Sequence, residues 1–175
     1  ADAGETRELA SVAALFPVLH GLNGEDGSIQ GYARIAQVPL VGCGIIGSAI
    51  ALDKDITKRL LVSAGIPVAR SVTLRLGDTP VFEEIASILG SPVFVKPARQ
   101  GSSVGVSRAC DGPGLAASVA AGFDHDSKLL VEEMIEGREI ECSVLEAPDG
   151  SLFVSRPGEI VPNARHGFYT YDAKY

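Results

Sequence analysis

A glycine- and serine-rich segment, residues 93–106, holds the residue types best suited to chemistry in this chain. The apolar run Val93-Phe94-Val95 is typical of a buried strand, and Lys96 follows it directly. The run Gly101-Ser102-Ser103-Val104-Gly105 comes next. Glycines let the backbone approach a ligand closely, and N–H groups with hydroxyls can surround an anion. We predict a flexible flap that closes over the phosphates of a nucleotide, although an ordinary Gly/Ser hairpin with a surface lysine fits the same pattern.

Two other stretches supply groups that a nucleotide site needs. Lys54 lies within Asp53-Lys54-Asp55, at the start of a predicted amphipathic helix, and two lysines from separate elements can bracket a polyphosphate as point charges. Residues 132–135, Glu-Glu-Met-Ile, leave a predicted strand. They suit an adenine slot in which a carboxylate takes the ribose hydroxyls. Solvated surface lysines and a strand end with solvated glutamates are the alternatives.

A histidine stands where open α/β sheets place their ligands. The apolar run from Ala14 to Leu19 predicts a strand buried on both faces, and His20 follows it. The turn Gly24-Glu25-Asp26-Gly27 comes next, and Ser28 is predicted to cap a helix. A loop between a buried strand and a helix is a common ligand position. Ligand contact and a structural hydrogen bond both remain open for His20.

The composition excludes several classes of function. With 22 acidic and 15 basic residues, the net charge of −7 argues against non-specific nucleic-acid binding. No apolar run approaches the length of a membrane span, so we predict no membrane association. Three cysteines without a C-x-x-C spacing fit a reducing compartment, and we predict a cytoplasmic protein. The histidines, cysteines and glutamates show no spacing typical of a metal site.

The elements that must position these residues come in two groups. Turn and cap residues indicate where helices begin and end, and they predict helices near 28–36, 56–64, 81–89 and 115–121. Apolar runs predict strands at 71–74, 93–95, 128–133 and 139–146. The turn Pro148-Asp149-Gly150 predicts a hairpin that continues through residues 151–156. An α/β part followed by an antiparallel sheet indicates two lobes with a cleft between them.

Several short blocks, taken in order, resemble the D-alanine–D-alanine ligases of the ATP-grasp superfamily. Each block is weak alone, and the ordered set is specific. The blocks are 16–21 (FPVLHG), 24–31 (GEDGSIQG), 52–54 (LDK), 95–97 (VKP), 101–105 (GSSVG), 131–133 (VEE), 137–141 (GREIE), 157–160 (PGEI) and 171–175 (YDAKY). They extend from about Leu15 to Tyr175.

The resemblance implies a mixed α/β (α+β) fold in three parts. A truncated Rossmann-like N-terminal lobe that binds substrate would occupy residues 1–50. A central ATP-grasp lobe with the glycine flap would follow over 51–135, and a partial C-terminal lobe with the start of a covering loop over 136–175. The family's N-terminal strand–turn–helix and its C-terminal Mg²⁺ carboxylates have no counterpart in these blocks. If the 175 residues were the whole molecule, we would expect little or no ligase activity.

The resemblance also implies roles for single residues. Lys54, Lys96, Ser102, Ser103 and Lys174 would hold or cover the ATP phosphates, Glu132, Glu133, Met134 and Ile135 would line the adenine site, and Glu139 would take the ribose. His20 would lie beside the first D-alanine, while Ser102 and Tyr175 would orient the substrates.

The implied reaction joins two D-alanines through an acyl-phosphate, for peptidoglycan precursor synthesis, with ATP and Mg²⁺ as cofactors. A homodimer is the implied assembly. A D-alanine–D-lactate ligase and a nucleotide-binding fragment without turnover are the alternatives, and Tyr175 favours the dipeptide product over the lactate one.

Overall fold

The centre of the fold is a four-stranded antiparallel sheet. The structure is a computed structural model that describes residues 11–161. The strands are β1 (Ser71–Arg75), β2 (Val93–Pro97), β3 (Ser107–Ala109) and β4 (Lys128–Glu133), in the spatial order β1-β4-β2-β3. The positions of β1, β2 and β4 agree with the apolar runs at 71–74, 93–95 and 128–133. Strand β4 lies between β1 and β2 and is buried along nearly its whole length.

Alternation along the central strands separates an apolar face from a polar one. Val93 and Val95 of β2, with Leu129 and Val131 of β4, pack into the hydrophobic core. Helices α4 (Phe82–Leu89) and α5 (Gly112–Phe123) complete that core. Successive side chains of a strand point to opposite faces. Phe94 and Lys96 of β2 and Glu132 of β4 therefore lie on the other face of the sheet. The polar groups of the sheet therefore collect on the side away from α4 and α5.

Within the described residues, three helices precede the sheet. They are α1 (Ser28–Ile35), α2 (Ile45–Leu52) and α3 (Lys54–Ser63). Asp53 caps α3, because its carboxylate accepts a hydrogen bond from the Ile56 N–H at 3.2 Å. Helix α2 was not predicted. It has no side-chain cap and begins after Gly44, in a stretch interrupted by Gly47. The sequence therefore carries little signal for its start.

The prediction of a strand buried on both faces at Ala14–Leu19 is wrong. Only Leu15 forms a bridge, a parallel one with Leu40, and Phe16 and Val18 are each 73% exposed. A buried strand needs partners on both edges and a layer over each face. The described residues supply one bridge on one edge, so apolar character alone misled the prediction.

The predicted cap of α1 is also wrong. Gly27 occupies the cap position with a φ of 96°, and Ser28 is the first helical residue. Asp26 fastens this turn instead: one carboxylate oxygen accepts the Ser28 N–H at 2.9 Å, and the other accepts the Asn23 N–H at 3.0 Å. An aspartate that bridges two backbone donors replaces the expected serine cap.

The C-terminal described part consists of two small antiparallel pairs. Strand β5 (Glu139–Glu141) pairs with β8 (Gly158–Ile160), and β6 (Val144–Glu146) pairs with β7 (Leu152–Val154). The predicted continuous strand 139–146 is thus divided after residue 141. The Ser143 N–H donates to Ser155 Oγ at 2.9 Å, which diverts the chain from one pair to the other. The hairpin turn predicted at 148–150 agrees with the β6–β7 pairing. Among the described residues, no helix has the length and apolar character needed to cross a membrane.

Candidate functional site

One cleft of about 1150 Å³ gathers the predicted site residues. Its wall is built from the start of α3, the polar side of β2, the turn after β2, the end of β4 and strand β5. The predicted site residues that line it are His20, Lys54, Lys96, Ser102, Ser103, Glu132, Glu133, Met134, Ile135 and Glu139. Lys174 and Tyr175, with the rest of the expected covering loop, lie outside the described residues.

Lys54 is held at the first position of α3 by three carbonyl groups. Its backbone N–H donates to the Ala98 carbonyl at 2.9 Å. Its Nζ donates to the Pro97 carbonyl at 3.2 Å and to that of Gln100. Burial lowers the pKa of Lys54, and the nearby Lys96 ammonium lowers it further. The loop after β2 therefore fixes a partly desolvated ammonium group beside a second one.

Glu132 joins two lysines on the polar face of the sheet. The pairing of β2 with β4 places Phe94 opposite Glu132 and Lys96 opposite Leu130, so Lys96 and Glu132 are diagonal neighbours. Lys96 Nζ donates to Glu132 Oε2 at 2.5 Å, and Lys58 Nζ lies 2.8 Å from Glu132 Oε1. Burial alone would raise the pKa of Glu132, but the two ammonium groups outweigh it and hold the pKa below its usual value.

The turn over residues 101–105 has a strained backbone. Ser102 and Ser103 adopt left-handed conformations, with φ values of 49° and 60°. Such a conformation costs roughly 1–2 kcal/mol for a residue with a side chain, and residues strained in this way are enriched at ligand-binding sites. The Val104 N–H donates back to the Gly101 carbonyl at 3.0 Å, which closes the turn at the mouth of the cleft.

Gly105 allows this turn to pack closely against the sheet. Its φ is 68°, and a Cβ at this position would lie 2.6 Å from His125 Cδ2 and 2.8 Å from Pro97 Cγ. Contacts this short are not available to a real side chain. The glycine is therefore required by both backbone conformation and space.

The segment after β4 presents apolar side chains to the cleft. Met134 and Ile135 line it with 38% and 66% of their surface exposed. Glu133 is bound to Arg70: the guanidinium Nε donates to Oε2 at 2.7 Å and the backbone N–H donates to Oε1 at 2.6 Å. These hydrogen bonds lower the pKa of Glu133. Glu139 on β5 is exposed and belongs to the same wall.

The loop that carries His20 packs against the serine-containing turn. The Gly21 N–H donates to Glu25 Oε2 at 2.5 Å, which closes the loop on itself. A Cβ built on Gly101 would lie 3.6 Å from that carboxylate oxygen and 3.8 Å from Gly21 Cα. His20 and Glu25 both line the cleft. The expected substrate-side histidine and the expected phosphate flap are therefore neighbours.

A second group of buried charges fixes the start of α3. Lys128 at the beginning of β4 is 8% exposed, and its Nζ donates to both carboxylate oxygens of Asp53 at 2.7 Å. The same ammonium donates to Asp55 Oδ2 at 3.3 Å. Burial alone would raise the pKa of Asp55, yet hydrogen bonds from Arg59 and Lys128 lower it. Lys54 lies between these two aspartates, so the clamp ties it to the sheet.

Comparisons with known proteins decide the family. The family pattern described as D-ala D-ala ligase C-terminus matches residues 60–175, and that described as D-ala D-ala ligase N-terminus matches residues 1–43. The chain belongs to the D-alanine–D-alanine ligase family. The D-alanine–D-alanine ligase A of Mesorhizobium japonicum is 62% identical over 164 residues, which cover 94% of this chain and 46% of that protein. The corresponding protein of Brucella suis biovar 1 is 56% identical over 174 residues, 99% of this chain and 49% of its own length.

Solved structures confirm the ATP-grasp fold of this ligase family. The D-alanine–D-alanine ligase from Coxiella burnetii has a TM-score of 0.80 at 38% identity, over 87% of this chain and 45% of that chain. A D-Ala:D-Ser ligase from Enterococcus faecalis has a TM-score of 0.81 at 40% identity, over 96% of this chain and 48% of that chain. The chain spans about half the length of the curated relatives it matches.

A magnesium site is not formed by the described residues. The ligase family generally uses Mg²⁺ with ATP, yet within residues 11–161 no three His, Cys, Asp or Glu side chains are grouped so as to hold a metal ion. The carboxylates of Glu132 and Glu133 are each engaged by basic side chains. This part of the chain therefore does not fit the ion, and no step below is assigned to it.

Sequence reasoning did not single out Lys58, Phe94 or Lys128 as contributors to this cleft. Lys58 carried a signal, because it lies four residues after Lys54 and so shares its side of the helix. Phe94 lies under Lys96, with 5.7 Å between the ammonium and the ring centre. The roles of Phe94 and Lys128 depend on the register between strands, which single-sequence patterns do not give.

Proposed function

We propose that this chain forms the nucleotide- and D-alanine-binding part of an ATP-dependent ligase that joins two D-alanines for peptidoglycan synthesis. The observation that carries the proposal is the convergence of Lys54, Lys96 and the strained Ser102-Ser103 turn on one cleft. Family membership supplies the reaction class, and the cleft supplies groups of the right charge for a triphosphate.

The phosphates of ATP would lie between the two lysines and the turn. Lys54 and Lys96 provide two ammonium groups that repel each other: burial lowers the pKa of Lys54 most, and the Lys96 ammonium lowers it further. An anion placed there relieves that repulsion, because it brings negative charge to two cations that burial has partly stripped of water. Ser102 and Ser103 would close over the phosphates from the turn.

The nucleoside would lie against the wall made by the segment after β4. Met134 and Ile135 offer an exposed apolar surface for the base, and backbone N–H and C=O groups of this segment would meet its polar edge. Glu139, on the neighbouring β5 wall, would accept hydrogen bonds from the ribose hydroxyls.

The reaction would proceed in two transfers. A carboxylate oxygen of the first D-alanine attacks the terminal phosphorus of ATP, which forms an acyl-phosphate and releases ADP. The amine of the second D-alanine then attacks the acyl carbon, and phosphate leaves. Lys54 and Lys96 stabilise the charge on the transferred group and hold it in line, since positioning and electrostatics dominate phosphoryl transfer. His20 would orient the first D-alanine, and Tyr175 with Ser102 would complete the substrate set.

A D-alanine-dependent phosphate-release assay on a ligase that contains this chain tests this proposal. We expect Lys54→Met and Lys96→Met each to lower kcat/KM for ATP by about 100-fold or more, because each removes a cation that faces the developing charge. Arg34→Met is the control: Arg34 is an exposed cation in the last turn of α1, and it is not among the residues that line the cleft. Phosphate release that is independent of D-alanine, or unchanged in both lysine variants, would refute the assignment.

The second substrate is decided by the products of the same assay. We propose D-alanine, and parallel reactions with D-serine or D-lactate in place of half the D-alanine, resolved by mass spectrometry, would show a preference for the dipeptide. A dominant D-alanyl-D-lactate product would reverse this choice. Nucleotide binding by calorimetry without any turnover would instead support a binding fragment.

The assembly and location are part of the same proposal. We infer a cytoplasmic homodimer that associates through the first part of the chain. Phe16, Val18 and Ile46 there are each more than 70% exposed, and they would supply apolar surface for such a contact. Sedimentation equilibrium is the test, and a monomer at every concentration would exclude the dimer.

A further inference from the structure

Lys58 contacts the site without lining it. It is not among the residues of the cleft wall, and its side chain is 17% exposed. Its Nζ lies 2.8 Å from Glu132 Oε1 and donates to the Ala69 carbonyl at 2.7 Å. The ammonium is therefore fixed behind the cleft, by one carboxylate and one carbonyl.

Glu132 is shared between two lysines of different exposure. One oxygen faces Lys58 and the other faces Lys96, at 2.8 and 2.5 Å. Glu132 itself is 5% exposed, whereas the Lys96 side chain is 30% exposed and lines the cleft. A buried carboxylate needs a partner at all times, because an unpaired buried charge is strongly unfavourable. Of the two lysines, Lys96 is the one placed to exchange the carboxylate for a ligand.

We propose that Lys58 is a positioning residue that lets Lys96 bind a nucleotide phosphate. This inference rests on the proposed ATP site. When a triphosphate enters the cleft, the Lys96 ammonium donates hydrogen bonds to the phosphate oxygens in place of part of its bonding to Glu132. Lys58 keeps Glu132 neutralised during that exchange. Without Lys58, Lys96 is the one of the two lysines still paired with the buried Glu132 carboxylate. The nucleotide phosphate must then compete with that carboxylate for the Lys96 ammonium.

The test is a double-mutant cycle on Mg·ATP affinity, measured by calorimetry on the full chain. We expect Lys58→Met to weaken binding by about 10-fold or more in the unsubstituted background, and by less than about 3-fold when Glu132→Gln is also present. The second substitution removes the competing carboxylate. Lys58→Arg, which restores a cation, should remain within about 3-fold of the unsubstituted protein.

Two controls separate this role from a general loss of structure. Arg34→Met removes an exposed cation in the last turn of α1, which is not among the residues that line the cleft, and should leave the affinity unchanged. The thermal unfolding temperature of each variant reports the loss of the hydrogen bond from Lys58 to the Ala69 carbonyl. That loss is the same with and without Glu132→Gln.

Each outcome bears on one claim or on both. Equal weakening by Lys58→Met with and without Glu132→Gln would overturn the inference, since a merely structural lysine acts independently of the carboxylate's charge. Unchanged affinity in Lys58→Met would overturn it as well, while ATP binding by the unsubstituted protein would leave the proposed function standing. An unsubstituted protein that does not bind Mg·ATP would overturn both.

Discussion

At the scale of single residues, buried carboxylates with basic partners hold the cleft together. Glu132, Asp55 and Asp126 are each less than a tenth exposed, and each has a lowered pKa although burial alone would raise it. Hydrogen bonds and nearby cations outweigh burial in all three cases. These groups therefore favour the folded state only while they are ionised.

Asp126 offers the clearest test of this electrostatic account. It accepts hydrogen bonds from the backbone N–H of Arg99 at 2.7 Å and of Lys128 at 3.1 Å, and it pairs with the Arg99 guanidinium. Because its folded pKa lies below the usual 3.8, its contribution is complete above about pH 4 and is lost as the pH falls through the folded pKa.

We expect Asp126→Asn to lower the free energy of unfolding by about 2–4 kcal/mol at pH 7. The difference from the unsubstituted protein should shrink below about pH 4, since protonation then removes the same charge. Urea unfolding at pH 7 and pH 3 measures both. Asp124→Asn, at an exposed neighbouring position, should change stability by less than about 0.5 kcal/mol. A difference that stays constant with pH would contradict the account.

At the scale of elements, the turn after β2 is the part whose conformation matters most for the site. Its serines occupy left-handed conformations, and Gly105 lets it pack on His125 and Pro97. The sequence showed that a turn stands here, because Gly and Ser cluster between two strands. It did not show that the turn packs against the loop of His20, since that contact joins parts of the chain some 80 residues apart.

Gly105→Ala tests the packing of this turn. The added Cβ would overlap His125 and Pro97 at a φ of 68°, so we expect a loss of about 2 kcal/mol in stability together with weaker binding of Mg·ATP. Gly112→Ala is the control, because nothing lies within 4 Å of a Cβ built there. Thermal unfolding and calorimetry provide the two readouts. Full ATP affinity in Gly105→Ala would show that the turn does not cover the phosphates.

The elements that sequence patterns located well are those with local signals. Strand β4 is found at Lys128–Glu133, as its apolar run predicts. Helix α3 is found at Lys54–Ser63, close to the predicted 56–64. Helix α2 has no capping side chain, and its sequence is apolar almost throughout, so it shows no polar and apolar faces at helical spacing. The run at Ala14–Leu19 carries the composition of a buried strand but lacks the neighbours that would bury it.

At the scale of the whole molecule, the site depends on pairings between distant parts of the chain. Lys96 and Glu132 are 36 residues apart and Lys128 and Asp53 are 75 apart, and each pair meets because of the register between β2, β4 and the start of α3. The types of residue in the site could be predicted from ordered sequence blocks. Their partners could not, because register is a property of the folded sheet.

The most direct test of the central claim is a crystal structure of the protein with a non-hydrolysable ATP analogue. The account predicts phosphate oxygens within hydrogen-bond distance of both Lys54 Nζ and Lys96 Nζ, with the 101–105 turn over them and the base against Met134 and Ile135. An analogue bound elsewhere on the molecule, or bound in the cleft with its phosphates away from both lysines, would contradict it.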